Sequence, residues 1–139
     1  MIKKFTFGKP INTGAVVKEV KASDWGEFPF DCKQGDSFVF EFSMKKDEII
    51  YGLGEANRGI NKRGWIYQSY CSDDPFHTET KQSLYAAHNF LMQNSDGLFI
   101  DFPARIVWDI GYTKTDTAEI RIEGTDFDIY LVRQDTPAE

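Results

Sequence analysis

Cysteine is scarce in this sequence: Cys32 and Cys71 are the only two among 139 residues. Two thiols are too few for the disulfide frameworks that hold small secreted domains together, so both are expected as free thiols. Histidine is equally rare, with His77 and His88 alone. Cys32, Cys71, His77 and His88 lack the paired close spacings of a zinc site, and they build no Ser-His-Asp or Cys-His arrangement. No metal and no cofactor is expected. Positive charge is in deficit too, because 22 acidic residues against 16 basic ones leave a net charge of −6. Such a field repels phosphate backbones and anionic lipids, which argues against nucleic acid or a membrane as a partner. No apolar run approaches the ~20 residues of a membrane-spanning helix. The residues after Met1-Ile2-Lys3-Lys4 alternate in polarity instead of forming a signal peptide's apolar stretch. A cytoplasmic location is the expectation.

What the sequence does contain is aromatic and apolar material in a period of two. Hydrophobic residues make up 41% and aromatics 15%, including 12 Phe, enough to fill one core in a chain of this length. One domain over residues 1–139 is the default. Phe38, Phe40 and Phe42 alternate with Val39, Glu41 and Ser43, the pattern of a half-buried strand. Ile120 and Ile122 repeat it, as do Phe127, Ile129 and Leu131, with Gly124-Thr125 read as a hairpin turn between the two runs. Further strands are expected over Lys4 to Phe7, Ala15 to Val20, Glu48 to Leu53, Trp65 to Tyr70, Phe90 to Gln93, Leu98 to Asp101 and Arg105 to Ile110. Asn94 to Gly97 supplies turn chemistry, because Asp-Gly tolerates the positive φ of a tight hairpin. Only Lys81 to His88 resembles a helical turn. About ten short strands at regular spacing predict an all-β fold, a sandwich or barrel of antiparallel strands.

Several motifs carry both a chemical and a plain structural reading. Gly52-Leu53-Gly54 begins like a dinucleotide loop, but the third glycine is missing and the following residues cannot open a helix. A bulge or sharp bend at a strand end is the better reading. Asp73-Asp74 is a pair of carboxylates, the groups glycoside hydrolysis uses. Sequence neighbours rarely flank one scissile bond, so a turn-capping role before Pro75 competes with any catalytic one. His77 shares the same polar stretch, Asp73 to Lys81, which reads as a loop. Trp25, Trp65 and Trp108 offer either a sugar-stacking platform or core material.

The run Tyr51-Gly52-Leu53-Gly54-Glu55, followed by Arg58-Gly59, Asn61-Lys62-Arg63-Gly64, Ser83-Leu84-Tyr85 with Asn89-Phe90, and Gly97-Leu98-Phe99-Ile100-Asp101-Phe102-Pro103, resembles glycoside hydrolase family 31. Order and spacing look like the N-terminal domain of its α-glucosidases. The resemblance covers most of residues 37 to 132. It departs from many members at Tyr70-Cys71, where they carry Trp-Asn, and at Ser83 and Asn89, where they carry proline.

This resemblance implies a galactose-mutarotase-like β-sandwich packed against a (β/α)8 barrel that holds an aspartate nucleophile and an aspartate acid/base. Neither catalytic motif occurs in this sequence. The parent enzyme would hydrolyse terminal α-linked glucose with retention, acting on α-glucosides or malto- and isomalto-oligosaccharides. The chain itself would be inactive and would lend a loop to the active-site mouth. Asp73 best matches the family's sugar-contacting aspartate on that loop, with Asp74 as the fallback and His77 beside them; catalytic residues are expected to be none. Self-association through a docking face left bare by the missing barrel is a further expectation. A self-sufficient carbohydrate-binding module is the competing reading. An aldose epimerase is a third, by fold analogy alone.

Overall fold

The structure is a computed structural model that describes residues 1–16, 27–56, 58–83 and 85–135. Ten strands run in chain order: β1 (Ile2–Phe7), β2 (Cys32–Gln34), β3 (Phe38–Ser43), β4 (Ile50–Gly54), β5 (Trp65–Gln68), β6 (Ala87–Gln93), β7 (Asp96–Asp101), β8 (Ile106–Ile110), β9 (Thr117–Ile122) and β10 (Phe127–Val132). They form two five-stranded antiparallel sheets, ordered β1-β10-β7-β6-β4 and β2-β3-β9-β8-β5. This is an all-β sandwich, as the alternation predicts.

The alternating residues become the core because a pleated strand sends every second side chain inward. Phe38, Phe40, Ile106, Trp108, Ile110, Ile120 and Ile122 of one sheet meet Leu91, Leu98, Ile100, Phe127 and Ile129 of the other, all buried. Burying each such side chain fully is worth about 1.5–3 kcal/mol relative to leaving it in water. At one side of the sandwich, Phe28 fills the gap between the sheets. Its ring lies edge-on to Phe5 at 5.2 Å, Phe7 at 5.5 Å and Phe40 at 5.3 Å.

Two expectations about turns are corrected. Gly124-Thr125 is no hairpin: β9 pairs with β3 and β8, whereas β10 pairs with β1 and β7, so the chain crosses here from one sheet to the other. Both neighbours of each strand are already taken. Glycine at 124 makes room for Phe102, since a Cβ there would meet the ring at 2.5 Å and displace it. The β6–β7 hairpin does form, but Gln93 pairs with Asp96, so the loop is Asn94-Ser95. The left-handed residue is Asn94, at φ 55. Gly97 lies in β7, where a Cβ would meet the Phe90 ring at 3.2 Å.

The helical turn expected over Lys81 to His88 is absent as well, and no helix occurs among the described residues. Ala87 and His88 open β6 instead, with Ala87 opposite Gly54. Strand β2 was not expected, because Cys32–Gln34 is exposed throughout and carries no alternation. The strand read over Ala15 to Val20 lies largely outside the described residues, as does Trp25.

The glycine motif forms the predicted bulge. Register shifts between Gly52 and Gly54, and Gly52, Leu53 and Gly54 have φ of 110, 62 and 73. A Cβ would strike the Phe90 carbonyl oxygen at 2.3 Å from position 52 and the Ala86 carbonyl oxygen at 2.1 Å from position 54. The close approach lets β4 hug the start of β6. It therefore fixes where the connection between β5 and β6 must land.

Candidate functional site

Strand β5 is the edge of one sheet, while β6 lies beside the edge strand β4 of the other. The connection Ser69 to Ala86 therefore bridges the two layers. Its roots are fastened firmly. Ser69 donates its backbone N–H to the Ile106 carbonyl at 2.9 Å, and its hydroxyl accepts the buried Trp108 indole N–H at 2.7 Å. Gln68 pairs with Gln82 through backbone (2.8 Å) and side chain (2.7 Å). At the far root, Glu55 N–H donates to the Ala86 carbonyl at 2.8 Å. Midway, Arg58 Nε donates to the Glu79 carbonyl at 2.9 Å.

Between these roots the loop is polar and stands in solvent, as its sequence predicts. Asp73 and His77 are exposed and Asp74 is half-buried. The two carboxylates have different surroundings. Asp74 accepts the Phe76 backbone N–H at 2.9 Å and forms an ion pair with Lys81. The Lys81 hydrogen bond, then that of Phe76, holds the Asp74 carboxyl below its ordinary range. This is the turn-capping role weighed for the pair. Among the described residues Asp73 forms no ion pair. It lies near the Tyr85 hydroxyl, whose titration is pushed up first by desolvation, then by interaction with Asp73 and by the charges of Asp74 and Glu55. His77 lies edge-on to Tyr85, ring centres 5.0 Å apart.

The structure thus gathers Asp73, Asp74 and His77 around one residue that the sequence did not single out as a site residue, Tyr85. Its only signal was its place in the Ser83-Leu84-Tyr85 fragment. Beneath the loop lies an open groove of about 960 Å³ whose lining includes Tyr70, His88, Asn89, Phe90, Phe102 and Arg105. The Arg105 guanidinium covers the Tyr70 ring at 4.9 Å. The tryptophans do not form a platform among the described residues: Trp108 is fully buried, and Arg58 stacks on Trp65 at 3.5 Å. No group of three or more His, Cys, Asp or Glu capable of holding a metal occurs among the described residues. Cys32 and Cys71 are free thiols.

Residues 11–109 match the model of the glycosyl hydrolase 31 N-terminal galactose mutarotase-like domain. The chain belongs to this family. Among its relatives, the α-xylosidase XylQ of Lactiplantibacillus pentosus is 29% identical over 99 residues, which are 71% of this chain and 13% of that protein. A Flavobacterium johnsoniae GH31 dextranase, solved with isomaltotriose, superposes with a TM-score of 0.68 at 23% identity, over 81% of this chain and 14% of that one. The cycloalternan-forming enzyme of Listeria monocytogenes, solved with a pentasaccharide substrate, gives 0.64 at 18%, over 71% and 10%. This GH31 sandwich therefore accounts for a small part of the length of each relative. The Gly52-Leu53-Gly54 bulge and the Asn61-Lys62-Arg63-Gly64 turn fall inside the matched region. Their shared role is structural: the bulge seats β6, and the Arg63 guanidinium donates to the backbone carbonyls of Lys45, Lys46, Glu48 and Thr115.

Proposed function

We propose that this domain is the substrate-side shoulder of a retaining α-glucosidase, presenting Asp73 to a sugar at the mouth of an active site whose catalytic carboxylates lie in a barrel outside this sequence. The observation that carries the reading is the division of labour within Asp73-Asp74. Asp74 is spent on holding the loop through Lys81 and Phe76. Asp73 stands exposed and is not the carboxylate that Lys81 pairs with. A carboxylate of that kind can still accept hydrogen bonds from sugar hydroxyls, and charge-assisted bonds are roughly twice as strong as neutral ones.

A binding role fits the geometry better than bond cleavage. Retaining hydrolysis needs two carboxyl groups about 5–5.5 Å apart on opposite sides of the scissile bond. Asp74, turned into its own loop, cannot flank a bond opposite Asp73. The substrate class is a terminal α-linked glucoside, and α-glucosyl oligosaccharides are its natural form; a cytoplasmic enzyme is part of the same reading.

Two measurements test it. The purified chain should release no aryl alcohol from an aryl α-glucoside. In the longer protein, Asp73→Asn should lower kcat/KM for the glucoside by roughly tenfold or more, since hydrogen bonds to charged groups are worth about 1.5–3 kcal/mol. Turnover by the chain alone, or an Asp73→Asn enzyme with unchanged kcat/KM, would overturn the proposal.

A further inference from the structure

The two sides of the sandwich are closed in opposite ways. Where β1 and β3 face each other, the gap is filled by the Phe28 ring. At the other side, β4 and β5 are bridged by the connection Glu55 to Gly64, and what it inserts is cationic. Lys62, only 6% exposed, lies over the Tyr67 ring with Nζ at 5.8 Å from its centre. Arg58 stacks on Trp65, two residues earlier on the same face of β5.

Burying an ammonium without a counter-charge is costly, and buried lysines are ordinarily paired. Lys62 has no carboxylate partner among the described residues. Its one acceptor is the Gly59 carbonyl at 3.2 Å. Burial alone pushes its titration down, with no neighbouring acid to offset it. Two further polar groups here are enclosed and unpartnered, the Trp65 indole N–H and the Tyr67 hydroxyl. Tyr67 is 3% exposed. Buried polar atoms in folded proteins are satisfied as a rule, so each orphan needs an explanation. In a chain with a net charge of −6, two cations lie against the two aromatic residues that carry these orphaned groups, and among the described residues no carboxylate pairs with either cation.

The geometry points to a second binding site: Arg58, Lys62, Trp65 and Tyr67 form a cradle of donors under the β4–β5 connection that takes one small oxyanion, a carboxylate or a phosphate group. Each of these side chains can donate to an oxyanion, and the two cations supply the charge balance. The covering segment itself lies at the surface, with Ile60 76% exposed and open space beside Gly59 and Gly64. Arg58 also ties this site to the Asp73 loop through the Glu79 carbonyl at 2.9 Å.

The test is a nuclear magnetic resonance titration of the isotope-labelled 139-residue chain with sodium formate and, separately, sodium phosphate, at ionic strength held constant with chloride. The three tryptophans give separate indole N–H signals, and Trp65→Phe identifies the one to follow. That signal should move and saturate in the low-millimolar range while the Trp108 signal stays still. Whichever anion saturates first assigns the ligand as carboxylate or phosphate. Lys62→Met should weaken binding roughly tenfold, the scale of one charge-assisted hydrogen bond. Arg58→Gln, at a half-buried position, should act in the same direction and serves if Lys62→Met does not fold. A Trp65 signal that stays still or drifts without saturating overturns the site. So does an equal response in Arg58→Gln, or a bound-water cross-peak to the Trp65 indole that persists through the titration.

Discussion

Lys81 reaches back across the Ser69 to Ala86 connection to form an ion pair with Asp74, the residue immediately after the exposed Asp73. One carboxylate is thereby anchored and its neighbour presented. The Asp74 carboxyl is held below its ordinary range by Lys81 and then by the Phe76 N–H. A group with a depressed folded value contributes order that is complete above the ordinary aspartate range and is lost as pH falls through the folded value. The protection of the Phe76 amide, its exchange compared with the intrinsic rate at each pH, should therefore be high at neutral pH and fall in acid. Asp74→Asn should show low protection throughout, with the sandwich intact; Phe76 protection indifferent to both changes would refute the anchor.

The glycine bulge yields a contrast within one sequence motif. Gly54→Ala would put a methyl 2.1 Å from the Ala86 carbonyl oxygen at φ 73, and should cost ~2 kcal/mol or more in urea unfolding. Gly59→Ala, with open space and no left-handed φ, should stay within about 0.5 kcal/mol of the parent. Equal stabilities for the two variants would mean that the backbone does not follow this path.

On the outer face of β10, Asp128 is 7% exposed and accepts both Lys4 Nζ at 2.9 Å and the Thr6 hydroxyl at 2.6 Å. Asp128→Ala leaves Lys4 and Thr6 to water and should destabilise by about 0.5–1.5 kcal/mol, the scale of a net intramolecular hydrogen bond at a solvent-accessible pair. The Asp128 hydrogen bond raises the Lys4 titration above its ordinary value, more than burial lowers it. The stability this adds is complete below the ordinary lysine range and disappears as pH rises through the folded value. Thermal scans in alkali should show a steeper loss for the parent than for Lys4→Met, and parallel curves would discount the pair.

Cys32 and Cys71 are both exposed and unpaired. Both should react with a thiol reagent in the native state, without denaturant. Fewer than two equivalents would place at least one thiol elsewhere.

How much of this was legible beforehand depended on whether the deciding physics was local. The inward residues of β3, β9 and β10 were readable because period-two alternation is itself the burial pattern. Gly52 and Gly54 were readable because few residues other than glycine tolerate those backbone angles. The path at Gly124-Thr125 was not: turn chemistry says where a chain bends, while the sheet that receives the next strand depends on edges supplied by β1 and β7, far away in sequence. The polarity of Asp73, Asp74 and His77 marked a loop. That Lys81 takes one of the two aspartates and that Tyr85 folds against His77 is a matter of folding the loop back on itself, which no spacing rule encodes. Lys62 is the extreme case, since nothing in Asn61-Lys62-Arg63-Gly64 sets apart the one side chain that ends up enclosed.

The pairing of the first strand with the last has a consequence for biosynthesis. Ile2 lies opposite Val132, and the amino group of Met1 donates to the Arg133 carbonyl at 2.8 Å. While the polypeptide is being made, β1 has no mate until nearly the whole domain has left the ribosome. Its bare edge can meanwhile be captured by other nascent chains. Assembly of this sandwich is thus timed by its final segment, and truncations short of Val132 should jam as aggregates instead of accumulating as shorter soluble folds.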